Sequence, residues 1–432
     1  MTTSSLQSRL LLGRFLTRSG DQAWDFAVPL VLIQLFPDQI RIAALYFFLS
    51  KLLNVLILPK MTSLIDKLNR MSAAKVGISM QLAGVLIGAI AIFQLSVFTS
   101  GEWNYGMMIP FFAFGVLVFS GVLSSLGSAF MDIAIANDLV PSSLPPEQLA
   151  KFNSRLRQTD LFTEVTSPVL AGLLLTLYQP VLIGFFLVVA WNVLSFFPEL
   201  QLIRSVLNDR PDLKDKKVIA PALVKKSIFE KLTEGWRNFF KHPIALVAIA
   251  YAFLWLSVLS PHGVLLAGYL KDGWRIPEWL IGLFRGSGAI FGLLATVIFP
   301  WAERRWGLIR ASRNFIAYQS LTLVIALGFF LIEGSVGQFG FLIFILLSRV
   351  GLYGFSLGEM QIRQITIAPE VRGELNGFAS ALTGIATLGL YGAGAALPST
   401  EDFKFLIFGS VLFVAFGCLT FIIWISKNPS RL

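Results

Sequence analysis

Two aspartates four residues apart lie inside the first long apolar run, in Gly20-Asp21-Gln22-Ala23-Trp24-Asp25-Phe26. On a helix that spacing stacks both carboxylates on one face. A carboxylate at membrane depth is costly unless it faces a cavity, a partner or a cation. Asp21 and Asp25 therefore read as a cation or proton site, against the plainer reading of polar pairing that assembles a bundle. In the sixth apolar run Asn192, Ser195 and Glu199 follow i, i+3, i+7 spacing, which lines an amide, a hydroxyl and a carboxylate along one stripe. With Gln81 of the third run they supply hard oxygen ligands, the set that suits a divalent cation. Taken singly, Asn192 and Ser195 fit interhelical hydrogen bonding equally well. Their convergence with two acids is what favours a site.

The seventh run contains Leu259-Ser260-Pro261-His262-Gly263. Proline removes a backbone donor and glycine weakens a helix, so this helix is expected to break at mid-depth. His262 sits in the break, where it can bind a transition metal, carry a proton or simply be packed and hydrogen-bonded. The other histidine, His242, stands at the mouth of the same run and reads as a surface group.

A third group of polar residues falls at the ends of the runs. Asp66, Lys67 and Arg70 follow the second, Asp138 follows the fourth, Asn153, Arg157 and Asp160 lie in the fifth, and Arg372 enters the eleventh. Opposite charges placed this way can close one side of a moving protein and open again. Lys51 and Arg285 fall at depth, where each needs a countercharge.

These groups are positioned by apolar helices. Of 432 residues 55% are hydrophobic and 14% charged, and the mean hydropathy is +0.73. No ordinary soluble domain has that composition. Apolar segments fall at about 10–35, 40–61, 72–98, 107–136, 149–178, 180–204, 243–270, 277–301, 308–333, 337–364, 371–397 and 403–426, about twelve in all. The formal charge of +10 resides mainly in the connections, so it reports topology rather than nucleic-acid binding. Lys67, Arg70, Lys75, Lys151, Arg155, Arg304 and Arg305 mark alternate connections, which places both termini in the cytoplasm. The longest connection carries Lys214, Lys216 and Lys217 and ends in an amphipathic pattern, with Ile228, Leu232, Trp236 and Phe239 on one stripe. Such a segment is expected to lie at the membrane surface as a tether.

The chain therefore divides into a six-helix bundle over 1–205, a cytoplasmic linker with an amphipathic helix over 206–241, and a second six-helix bundle over 242–432. This is an all-α membrane protein with the architecture of the major facilitator superfamily. The single cysteine, Cys418, allows no intrachain disulfide. No nucleophile elbow, phosphate-binding loop, HExxH or paired CxxC is present, so nothing supports an enzyme.

Several short runs, in order and spacing, resemble the ferroportin family of ferrous-iron exporters in a compact bacterial form. They are Gly20-Asp21-x-x-Trp24-Asp25-Phe26-Ala27-Val28, Asp66-Lys67, Leu149-Ala150-x-x-Asn153 leading to Arg157 and Asp160, Trp191-Asn192-x-x-Ser195, and Arg372-Gly373-x-x-Asn376-Gly377. The resemblance implies that Asp21 is the metal-binding aspartate of the first helix, with Thr17 one turn before it. It makes Asn192, Ser195 and Phe196 the facing wall, and puts Asp25 where animal members carry histidine. Asp21, Gln81, Asn192 and Glu199 match the family's calcium-binding set. The cysteine of animal members falls at Gly263, which leaves His262 as the ligand of any second site, and control by a peptide hormone is not expected.

The reading that follows is alternating-access export of a divalent transition metal, ferrous iron first and cobalt or similar ions after it, by exchange with protons. Calcium is expected as a regulator rather than a cofactor. The expected setting is a monomer in the lipid bilayer of a bacterial inner membrane, with no nucleic-acid partner. Two rivals remain: a proton-coupled exporter of organic cations on the same fold, and a metal-responsive receptor that transports nothing.

Overall fold

The computed structural model describes residues 3–36, 40–99, 108–178, 180–213, 228–261, 263–276, 278–397 and 401–428. Long apolar segments leave the backbone only one way to satisfy its polar groups without water, so they form helices. In chain order these are α1 (Thr3–Leu35), α2 (Ile40–Thr62), α3 (Arg70–Thr99) and α4 (Met108–Asp132). A π-helical stretch, Ile133–Leu139, carries α4 into the short α5 (Val140–Ser143). Then come α6 (Pro146–Leu177), α7 (Val181–Asp209), α8 (Ile228–Lys241), α9 (Ala245–Trp255) and α10 (Val264–Asp272). The chain ends with α11 (Glu278–Trp306), α12 (Leu308–Phe330), α13 (Ser335–Thr366), α14 (Arg372–Ala396) and α15 (Phe403–Lys427). No strand occurs among the described residues. Nine helical spans among them are long and apolar enough to cross a membrane. Arg18, Asp21 and Asp25 load α1 with charge and keep it out of that group.

The seventh apolar run is broken as its Ser-Pro-His-Gly sequence predicts, with α9 ending at Trp255 and α10 beginning at Val264. Two side chains take up backbone groups that the break releases. Ser410 accepts the Val258 N–H at 2.9 Å, and Arg349 donates to the Leu259 carbonyl at 2.8 Å. His262 lies outside the described residues.

The chain forms two compact units. One comprises Met1–Ser143, Phe162–Lys225 and Ala368–Gly377; the other comprises Leu144–Leu161, Lys226–Ile367 and Phe378–Leu432. The first unit has a core of Trp24, Val28 and Val31 of α1 packed with Val85 and Ile92 of α3 and Phe185 and Val188 of α7. Trp24 and Phe185 bring their rings to 5.7 Å. In the second unit Phe355 and Phe421 meet edge to face at 5.0 Å, and Phe421 stacks on Trp424. The aromatic end of α8 is used on protein: Phe239 is fully buried and Trp236 lies 4.7 Å from the Phe378 ring.

Candidate metal-binding site

Asp21 is buried in the first unit, between α1, α3 and α4. Gln81 of α3 turns its amide to it, donating at 3.2 Å to Oδ1 and 3.5 Å to Oδ2. Ser128 of α4 donates to Oδ2. The sequence singled out Asp21 and Gln81 but not Ser128. A serine in an apolar helix ordinarily bonds its own preceding turn, so residue type gave no signal.

The α7 wall approaches α1 across one glycine. Asn192 donates to the Gly20 carbonyl at 2.8 Å, and a Cβ on Gly20 would stand 2.6 Å from Asn192 Oδ1. Any larger residue would displace that amide from the Gly20 carbonyl. Ser195 and Phe196 are buried, but the Ser195 hydroxyl is committed to the Asn192 carbonyl at 2.7 Å. One helical turn away from Asp21 on α1, Thr17 pairs its hydroxyl with the Glu199 carboxyl. Beside Thr17 and Glu199 is a cavity of about 20 Å³, which Arg14, Met131 and Ile203 also line. That is room for one water-sized guest.

Two buried acceptors in this group have no hydrogen-bond partner among the described residues, Gln81 Oε1 and Glu199 Oε2. Buried polar atoms are nearly always satisfied, and each exception needs a reason. Here both are oxygens of the residues whose types suit a hard cation. Among the described residues no cluster of three or more His, Cys, Asp or Glu side chains converges. The ligands are instead one deep carboxylate with amides, hydroxyls and a second acid nearby.

Asp25 behaves differently from Asp21 although it shares the helix face. It is exposed, and its charge interacts with Lys51 of α2, also exposed. Lys51 thus has the countercharge that its depth demands. Arg285 is exposed on α11. A further set went unread in the sequence: Arg14 and Arg18 on α1 both reach Asp132 Oδ1, Arg18 at 3.4 Å. Asp132 thereby offsets two cations lying close to Asp21.

The charged ends gather in two places. In the first unit Arg70 binds Asp138 Oδ2 at 3.1 Å, Ser142 Oγ at 2.7 Å and the Leu213 carbonyl at 2.8 Å. Arg372 adds a second cation 3.8 Å from Asp138 Oδ1 and donates to Ser142 at 3.1 Å. Asp138, in the π-helical stretch, is 1% exposed. Asp66 accepts the Gly373 and Glu374 N–H groups at 2.7 and 2.8 Å, so a carboxylate stands at the positive end of α14. In the second unit Asn153 and Gln364 exchange amide hydrogen bonds at 2.7 and 3.2 Å, and Arg157 lies over the Tyr353 ring at 4.7 Å. The residues predicted as one gate are thus held in two clusters, Asp66, Arg70, Asp138 and Arg372 in one and Asn153 and Arg157 in the other.

The family model described as Ferroportin1 (FPN1) matches residues 4–414 of this chain. The chain belongs to the ferroportin family. A relative from Bdellovibrio bacteriovorus named Ferreportin is 46% identical over 427 residues, 98% of this chain and 95% of its own length. A crystal structure of a bacterial homologue of the iron transporter ferroportin in an outward-facing state is 45% identical and covers 98% of this chain and 99% of its own, with a TM-score of 0.90. With soaked iron that state gives 44% identity, the same coverage and a TM-score of 0.88. The inward-facing homologue is 43% identical over 98% of this chain and 99% of its own, with a TM-score of 0.66. Ferroportin membership makes this chain a metal transporter of the major facilitator architecture and a multi-pass membrane protein.

Proposed function

We propose that this chain exports a divalent transition metal, ferrous iron first and cobalt or similar ions after it, by alternating access in a bacterial inner membrane. The observation that carries the reading is Asp21: a buried carboxylate held by Gln81 and Ser128, with Asn192 bonded to the carbonyl of the preceding Gly20 and unfilled oxygens on Gln81 and Glu199 among the described residues. A transport site must bind and release, and one carboxylate among neutral oxygens suits that better than a closed cage of three acids. The metal enters from the cytoplasm, where both termini lie, and meets Asp21, with Thr17, Asn192, Ser195 and Phe196 forming the wall. Asp25 is the next acid along the helix, and His262 is the ligand of a second site in the broken seventh run.

Asp66, Arg70, Asp138 and Arg372 form one half of a cytoplasmic gate, and Asn153 and Arg157 the other. Support comes from the buried ion pairs of Asp138 and from the cap that Asp66 places on α14. Metal and protons compete for the same carboxylates, so export runs against proton uptake. Calcium takes the oxygens of Asp21, Gln81, Asn192 and Glu199 and regulates the carrier. The working unit is a monomer with an N-terminal bundle over 1–205, a linker over 206–241 and a C-terminal bundle over 242–432.

The test is uptake of ferrous, cobalt and calcium ions into proteoliposomes at two pH values, with wild type and Asp21→Ala. Transition-metal flux that rises with pH on the binding side and vanishes in Asp21→Ala is the expected result. Equal flux in the two proteins overturns the assignment of Asp21, and no metal flux from a folded wild type overturns the export reading.

A further inference from the structure

The second unit contains a cavity of about 410 Å³ that the transport reading does not use. Its walls include Trp306, Gly307, Arg310, Ile365, Thr366 and Trp424. Four membrane-crossing helices have their ends at this place. Trp306 ends α11, Leu308 begins α12, Thr366 ends α13, and Trp424 lies three residues before the end of α15. A cavity bounded by four span ends stands where hydrocarbon gives way to water, the depth of lipid headgroups.

The chemistry of the walls matches that depth. Trp306 is 42% exposed and packs edge to face on Trp301, itself 59% exposed, at 5.5 Å. Exposed tryptophans at a span end are the aromatic anchors of the interface. Ile365 is 53% exposed on the same rim and offers a dry surface to an acyl chain. Arg310 is exposed on the cavity wall, and no carboxylate pairs with it among the described residues. Arg304, Arg305 and Arg313, close to it in sequence, are exposed as well, and Glu303 accepts a hydrogen bond from Gln361. The N-cap of α12 is Gly307, which brings no side chain to cover the first N–H groups of that helix, and nothing lies within 4 Å of where its Cβ would stand.

We infer that this cavity binds the phosphate headgroup of an anionic phospholipid, with Arg310 as its counter-ion and the Trp301, Trp306 and Ile365 surface along its acyl chain. Arginine suits phosphate because its planar fork offers paired donors. Basic pockets between membrane helices at the headgroup level are where anionic lipids lodge. A soluble phosphate compound would leave the apolar rim unused, whereas a lipid uses both halves of the wall. A lipid held there touches the ends of four helices at once and so stabilises their arrangement in the second unit.

The experiment is native mass spectrometry of the full chain in detergent, titrated with phosphatidylglycerol or phosphatidylcholine, with Arg310→Gln, Trp306→Ala and the control Arg204→Gln. Arg204 is exposed on α7, in the first unit, and loses the same charge far from the cavity in sequence. The expected result is one phosphatidylglycerol retained per wild-type chain, about tenfold weaker retention in Arg310→Gln, weaker retention in Trp306→Ala, and none lost in Arg204→Gln. Wild-type retention of phosphatidylcholine equal to phosphatidylglycerol overturns the inference, as does an equal loss in Arg204→Gln or unchanged retention in Arg310→Gln. Displacement of the lipid by millimolar inorganic phosphate identifies a soluble-anion site instead and equally overturns it. Unchanged helical content by circular dichroism in each variant keeps misfolding out of the comparison.

Discussion

The Asp21 group of the first unit and the broken seventh run of the second treat buried charge in opposite ways. The first buries an acid, Asp21, and surrounds it with donors and with two acceptor oxygens that nothing among the described residues satisfies. The second buries a base at its broken helix, where Arg349 is 4% exposed and spends its donors on the Leu259 carbonyl and Ser348 Oγ. A buried cation beside the break weakens divalent-ion binding there, the proposed His262 site included, whereas the Asp21 group attracts such an ion. The contrast teaches that the Asp21 group is the stronger of the two proposed sites, and that Arg349 takes up a backbone carbonyl which the break releases.

The sharpest way to break this contrast is Asp21→Ala, expected to reduce metal flux to background, measured in proteoliposomes. Survival of full flux would mean that the second unit carries the ion. Next in size is Asp138→Ala, which strands Arg70 and Arg372 without their shared acid. Removing one member of a buried charge group costs about 3–5 kcal/mol, so thermal unfolding of the detergent-solubilised chain should shift down by several degrees or more. Arg349→Gln loses a charge-assisted hydrogen bond worth about 1.5–3 kcal/mol. Hydrogen exchange should speed up at residues 256–261 while metal affinity at Asp21 stays constant or rises. A fall in affinity would show that the two units are not as separate in charge as their side chains indicate. Smallest is Lys51→Ala, which frees the exposed Asp25. Removing a charge that faces Asp25 should tighten calorimetric metal affinity by less than about fivefold, a change of about 1 kcal/mol.

What could be read from the sequence was what the membrane makes expensive. Asp21 and Asp25 stood out because acids are rare in apolar runs, and the break in the seventh run stood out because Pro261 and Gly263 together weaken a helix. The same signal could not separate the two aspartates, one buried against Gln81 and Ser128, the other exposed toward Lys51. That difference comes from neighbouring helices, which spacing along one helix does not describe. Ser128 stayed hidden for the same reason. So did the stretch Ile133–Leu139, since nothing in Ile-Ala-Ile-Ala-Asn-Asp-Leu favours π over α geometry. The packing of Leu144–Leu161 and Ala368–Gly377 with units other than those of their own helices leaves no mark either, because α6 and α14 run on through those points without a breaker.

The start of α14 rests against the end of α2 at two glycines. A Cβ on Gly373 would stand 2.3 Å from the Thr62 carbonyl oxygen, and one on Gly377 would stand 1.8 Å from Thr62 Oγ1. That contact is therefore made largely by main chain, which has no rotamers to lose. Long side chains that interlock must be frozen each time they meet and released each time they part, at a cost of up to about 2 kcal/mol apiece. Two glycines against a threonine avoid that toll, so the joint ties the start of α14 to α2 within the first unit with little side-chain entropy at stake.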